Sequence, residues 1–314
     1  MPHAHAPSLP SPPRPFCGVS TALVTPMSNG AIDFAAFERL VEWQIAEGIH
    51  GLVVAGTTAE SASLSVAERD QLLQLALSTA AGRVPIIAGT GDSDTATAIA
   101  LTQSAERLGA SAALVVTPAY NKPSQAGLVL HIQAIHDATN LPILLYDVPS
   151  RTGLQMAVET VGQLAKLPRV VGIKDANDNL ARPLQLRNAT DAQFLLLSGN
   201  DQTALAFLAQ GGDGWISVTS NVAPRLCVQL YGYWRALTTT GGADVWPLLR
   251  DLNLKLLPLS DALFLESNPA PVKHALSLMG RCADEFRLPL TPVQPANAAK
   301  IRQALQQLVP DLRA

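Results

Sequence analysis

Lys174 closes a short apolar run, Val170, Val171, Gly172 and Ile173, so its stem leaves a dry strand and its amine projects past the strand's end. An amine so placed is suited to condensing with a ketone, the opening step of covalent imine catalysis. A bland reading stands beside it: the same lysine would hold a rim by pairing with a carboxylate such as Asp175 or Asp201. Tyr146 ends the run PILLY (142–146). A phenol there either packs or exchanges protons, and imine formation needs a proton donor and acceptor on the carbinolamine oxygen. Thr57 and Thr58 follow the run GLVVAG (51–56) and either extend such a relay or are ordinary β-formers. The segment GTTAES (56–61) is expected to form a strand-to-helix junction carrying Glu60, with free N–H groups at the helix start able to hold a carboxylate. Arg151 lies in YDVPSRTG (146–153), where Pro149 and Gly153 set a turn. It is either a solvated loop residue or a bidentate carboxylate clamp.

These side chains need a scaffold that brings them together. Eight apolar runs recur along the chain: 18–25, 51–56, 84–89, 112–117, 142–146, 169–174, 193–198 and 214–218. Their starts are roughly 20–35 residues apart, the length of one strand, one helix and two short loops. The segments between them are amphipathic, as in FAAFERLVEWQIAEG (34–48), where Phe34, Phe37, Leu40, Val41 and Ile45 share a stripe. Strands that are apolar on both faces predict an all-parallel sheet. Thr25, Thr57, Thr58, Thr90, Thr117, Tyr146, Lys174, Ser198, Ser217 and Thr219 all fall at or just beyond the C-terminal ends of runs. A barrel gathers such positions at one mouth, whereas an open sheet spreads them along an edge, so the prediction is an α/β fold, a (β/α)₈ TIM barrel with a C-terminal helical domain. The expected division is a disordered Pro-rich tail at 1–15, a catalytic barrel at 16–222 and helices over 223–314, with helical patterns near 223–239, 243–259, 270–279 and 296–309.

Composition narrows the function. With 314 residues, 48% hydrophobic, 15% charged and a net charge of −3, the chain has a large core and no basic face for nucleic acid. Cys17, Cys227 and Cys282 are too far apart for CxxC spacing and imply a reducing, cytoplasmic setting. No apolar stretch reaches the roughly 18 residues a bilayer requires. The first fifteen residues hold six prolines, and His3 and His5 on such a leader fix no metal geometry. GTGDSD (89–94) imitates a dinucleotide fingerprint, but Asp94 occupies the third glycine position.

GTTAES, VTPAYNKPSQAG (116–127), LYDVPSRTG (145–153), GIKDA (172–176), LLSGND (196–201), ISVTSN (216–221) and FLESNPAPVK (264–273) resemble, in order and spacing, the dihydrodipicolinate synthase family of pyruvate-dependent class I aldolases. The likeness runs from about Phe16 to the last helix. It implies a lyase that needs no cofactor, usually a homotetramer built as a dimer of dimers, condensing pyruvate with L-aspartate-4-semialdehyde in lysine and diaminopimelate biosynthesis. It further implies that Lys174 forms the Schiff base, Tyr146 is the acid/base, Thr58 relays protons and Thr57 binds the pyruvate carboxylate. Tyr120 resembles the tyrosine given by a neighbouring subunit, Arg151 the clamp for the second substrate, and Gly199 and Ile216 the backbone positions lining the pyruvate pocket. Ala59 stands where the family usually has glycine, and Asp147 where asparagine is commoner. Sister enzymes on the same scaffold, N-acetylneuraminate lyase or a 2-keto-3-deoxy sugar acid aldolase or dehydratase, share the lysine and tyrosine; PSRTG and ESNPAPVK favour the synthase. A non-catalytic keto-acid sensor would be expected to lack one of the two. Regulated relatives bind L-lysine in a cleft between subunits, and here Ser61 and Ala62 fit that pattern while Arg69, Thr97 and Ala119 do not, which predicts weak or absent inhibition.

Overall fold

The computed structural model describes residues 14–240 and 244–308. Most of the expected tail, with His3 and His5, lies outside the described residues. Its last positions are placed, and Arg14 pairs with Asp213 at 2.7 Å. The eight apolar runs become parallel strands β1 (Gly18–Ala22), β2 (Gly51–Val54), β3 (Ile86–Gly89), β4 (Ala112–Val116), β5 (Ile143–Asp147), β6 (Val170–Asp175), β7 (Leu195–Ser198) and β8 (Gly214–Ser217). They are hydrogen-bonded in chain order and closed by β1 pairing with both β8 and β2. Several strands stop short of the run that announced them. Beyond Ala22, for example, the chain leaves the ladder, and Thr25 donates its hydroxyl to the Ala59 carbonyl at 2.8 Å instead.

Side chains alternate across each strand. Leu144, Tyr146, Leu195, Leu197 and Ile216 fill the barrel interior, while Ile143, Leu145, Ile173 and Leu196 face the helices in the larger outer core. The helical layer comprises α1 (Phe34–Ala46), α2 (Val66–Ala80), α3 (Thr95–Leu108), α4 (Gln125–Asp137), α5 (Val158–Leu164), α6 (Arg182–Ala189) and α7 (Ala204–Ala209). Local chemistry sets where they start. Asp33, Asp94 and Ser124 accept the N–H three residues on, and Ser65 with Glu68 forms a reciprocal capping box. Asp94, the residue that spoiled the dinucleotide pattern, is thus a helix cap.

Helix α8 (Pro224–Thr240) lies against β1 and packs on α9 (Val245–Ala262). Helices α10 (Ala270–Leu278) and α11 (Pro295–Leu308) complete the C-terminal group, with α11 against both α9 and α10. A two-residue ribbon, Met27–Ser28 with Ala31–Ile32, is an addition that periodicity did not announce. No described helix is long and apolar enough to cross a membrane.

Candidate active site

Strands β5 and β6 run side by side, with Tyr146 directly opposite Lys174. Both side chains are buried, and the lysine Nζ stands 4.2 Å from the centre of the tyrosine ring. The carboxylates offered by the bland reading of Lys174 are committed elsewhere. Asp175 pairs with Arg182, and Asp201 accepts from Trp215 Nε1, Ser217 Oγ and the N–H groups of Val218 and Thr219. The lysine head faces a cavity of about 240 Å³ whose walls include Thr57, Thr58, Tyr146, Arg151, Asp178, Gly199, Gln202, Phe264 and Asn268. Gly199 is required there by close approach. A Cβ on it would lie 2.6 Å from the Ala176 Cβ and 3.2 Å from the Lys174 Cε, in the space the lysine stem occupies.

Residues 57–59 form a 3₁₀ turn, not the start of a long helix, which begins only at Val66. The expected helix-terminus cradle is therefore corrected to a single turn, whose leading N–H groups still lack partners within it. Left-handed backbone falls on Ala55 and Glu60 and spares Ala59, so the methyl group at 59 meets no such strain. Glu60 turns away from the cavity. Its carboxylate takes the buried Lys273 Nζ at 2.6 Å and the Arg287 N–H at 3.2 Å.

Thr58 Oγ1 accepts from the Asn268 side-chain amide at 2.9 Å, and the Asn268 main-chain carbonyl accepts from Arg151 at 3.0 Å. Asn268 thus joins the threonine to the arginine. It was legible only as part of FLESNPAPVK, and its buried Oδ1 has no partner among the described residues. Other strand-end hydroxyls do not converge on the cavity. Thr90 bonds with Thr102, Thr117 with Thr152, Ser198 with the Asn200 backbone and Ser217 with Asp201, each satisfying a neighbouring loop or helix. Ile216 belongs to the barrel-interior cluster with Tyr146 and Leu197, and from its end of the chain Val218 lines the cavity. Tyr120 is 96% exposed, with φ at 68°, and is not part of this chain's own cavity wall.

Behind Tyr146 and Lys174, on the helix-facing side of the same strand ends, Asp147 and Asp175 also lie opposite each other. Arg182 reaches both, at 3.0 and 3.1 Å, and Asn177 Nδ2 donates to both. Burial pushes the Asp147 carboxyl up to about 6 against the lowering pull of Asn177 and Arg182, and burial raises Asp175 as well. The sequence signal was an aspartate immediately after each catalytic candidate.

The sequence model of the Dihydrodipicolinate synthetase family matches residues 15–308. A 4-hydroxy-tetrahydrodipicolinate synthase from Rhodospirillum centenum is 52% identical over 290 residues, covering 92% of this chain and 97% of that protein. The crystal structure of dihydrodipicolinate synthase from Aquifex aeolicus superposes with a TM-score of 0.90 at 37% identity, over 95% of this chain and all (100%) of that one. A structure described as the first monomeric dihydrodipicolinate synthase variant gives 0.88 at 42% identity, covering 93% and 96%.

Proposed function

The chain belongs to the Dihydrodipicolinate synthetase family and has the lyase activity for which its relatives are named, 4-hydroxy-tetrahydrodipicolinate synthesis; we propose that Lys174 carries that reaction as a Schiff base. The observation that supports this assignment most is the Lys174 amine, buried, free of any carboxylate among the described residues, and set 4.2 Å over the Tyr146 ring. The Lys174 nitrogen attacks the pyruvate carbonyl carbon, and the carbonyl oxygen takes a proton from the Tyr146 phenol. Nitrogen returns one proton to the Tyr146 phenolate, the phenol then delivers it to the hydroxyl, which departs as water, and a protonated imine remains. Loss of a methyl proton gives an enamine, whose carbon bonds to the aldehyde carbon of L-aspartate-4-semialdehyde, restoring the imine while the aldehyde oxygen takes a proton and becomes a hydroxyl. The amine of that substrate then attacks the imine carbon, expels Lys174 and closes the ring.

Thr58 relays protons beside Tyr146, Thr57 and the leading N–H groups of its turn hold the pyruvate carboxylate, and Arg151 takes the carboxylate of the second substrate. The cavity lies below the roughly 300–1,000 Å³ of drug-sized sites, as suits two short acids. Tyr120, exposed on its left-handed loop, completes the relay of a neighbouring copy in a dimer-of-dimers tetramer, and the enzyme works in the cytoplasm. Sister lyases and aldolases would use the same lysine and tyrosine, but the relatives described above are all synthases.

Borohydride reduction in the presence of pyruvate, followed by peptide mass measurement, tests the assignment. One pyruvate-derived adduct is expected on Lys174, and none in Lys174→Ala. An adduct that persists in the variant overturns it.

A further inference from the structure

The pairing of β5 with β6 changes register partway along. Ile143 lies opposite Val170, but Leu144 lies opposite Gly172, so β6 carries one extra residue at a bulge before the site. Had the first register continued, Tyr146 would face Ile173 and Asp147 would face Lys174. The bulge therefore creates the Tyr146–Lys174 pairing, and it also sets two like charges, Asp147 and Asp175, directly opposite each other, an arrangement that by itself is unfavourable. The unshifted register would exchange that repulsion for an aspartate–lysine attraction and turn the strand faces over. Something must favour the bulged register at the strand ends.

We infer that Arg182 is a positioning residue for the catalytic pair, locking Asp147 and Asp175 side by side and so holding Lys174 over Tyr146. Its side chain is 3% exposed, its Nε donates to Asp175 Oδ2, and its Nη2 donates to Asp147 Oδ2 and to the Met156 carbonyl at 2.7 Å. Those bonds form only when the two carboxylates share one level. Asn177 bridges the same pair, and the Met156 N–H points at both oxygens of Asp147 at 3.2 Å. Arg182 bonds to Asp175, Asp147 and Met156 and does not line the cavity, so it acts through the backbone that carries the lysine and the tyrosine. This rests on Lys174 being the imine-forming lysine.

A control sits on the same helix. Arg187 also makes an ion pair, to Asp213 at 2.8 Å, but it braces the Phe194 and Gly211 carbonyls, away from the β5–β6 ends. The experiment measures the rate of borohydride-trappable imine formation with pyruvate, per folded enzyme, in the otherwise intact protein. Arg182→Met should slow imine formation at least tenfold, whereas Arg187→Met should leave that rate unchanged even where it lowers the melting temperature. Adding Asp147→Asn to Arg182→Met removes the opposed charge and should recover part of the rate. If Arg182→Met does not fold, Arg182→Lys, which keeps the charge but cannot span both carboxylates, should still show the slower rate. An unchanged rate in the Arg182 variants, an equal loss in Arg187→Met, or no recovery in the double variant overturns the inference. A wild-type chain that forms no adduct at Lys174 overturns instead the reading on which it rests.

Discussion

Two corners of the barrel mouth hold the candidate catalytic groups, and they are braced in different ways. At the β5–β6 edge the brace comes from the barrel's own helix α6, and two buried carboxylates share one guanidinium. At the 57–60 turn the brace comes from beyond the barrel, and the charges match one to one, Lys273 with Glu60 and Arg287 with Glu68. At the acid-heavy brace, burial pushes the Asp147 carboxyl up to about 6, with a smaller push from the neighbouring Asp175. In the matched brace, Arg287 bonded to Glu68 holds that carboxyl down to about 2. The two corners should therefore answer to pH with opposite signs, although both serve the same cavity.

The largest effect is expected at the matched corner. Lys273→Met leaves the Glu60 carboxylate buried and unpaired, which should cost on the order of 3–5 kcal/mol, the usual penalty for breaking a buried pair. Denaturant unfolding at neutral pH measures it, and a loss below about 1 kcal/mol would mean that the corner relaxes freely.

The acid-heavy corner gives the next largest effect. Because the folded Asp147 carboxyl lies near 6, above its ordinary 3.8, its contribution is greatest below about pH 4 and is lost as pH rises through 6. Asp147→Asn should remove that decline and gain about 1–3 kcal/mol above pH 6, seen as a flatter stability profile over pH 4–7. A profile with the wild-type slope would break the comparison.

Glu68→Gln should show the reverse sign with a smaller size. Its folded carboxyl is depressed, so its contribution is present above its ordinary 4.5 and is lost as pH falls towards 2. The pair is part-exposed and screened, so the loss at neutral pH should be about 0.5–1 kcal/mol and should shrink in high salt. Salt-independent loss would place the pair in a drier setting than this one.

The smallest response is expected from added L-lysine. Arg69 spends its guanidinium on the Ser61 carbonyl at 2.7 Å, and Thr97 bonds its own helix cap, Asp94. Neither offers a carboxylate for an ammonium next to the 57–60 turn. L-lysine at about 1 mM, a bound worth roughly −4 kcal/mol, should therefore leave more than half the activity. Stronger inhibition in a steady-state titration would show that this corner is coupled to an effector.

The eight strands and the barrel class were legible from the spacing of apolar runs, because burial on both faces writes itself into every residue of a strand. Lys174, Tyr146 and Arg151 were legible as polar residues closing or following such runs. Asn268 reaches Thr58 across 210 positions of chain, and Lys273 reaches Glu60 across 213, so no local pattern announced either contact. Glu60 looked like part of a carboxylate-binding turn and became a buried ion pair, because the C-terminal helices supply a lysine that periodicity cannot foresee. The bulge in β6, opposite Ile143 and Leu144, was equally hidden, since an extra apolar residue leaves an apolar run looking unchanged. The sequence by itself determined which residue types stand at the strand ends. Tertiary structure alone decided which of them face one another, because register and the pairing of buried charge depend on neighbours distant in the chain.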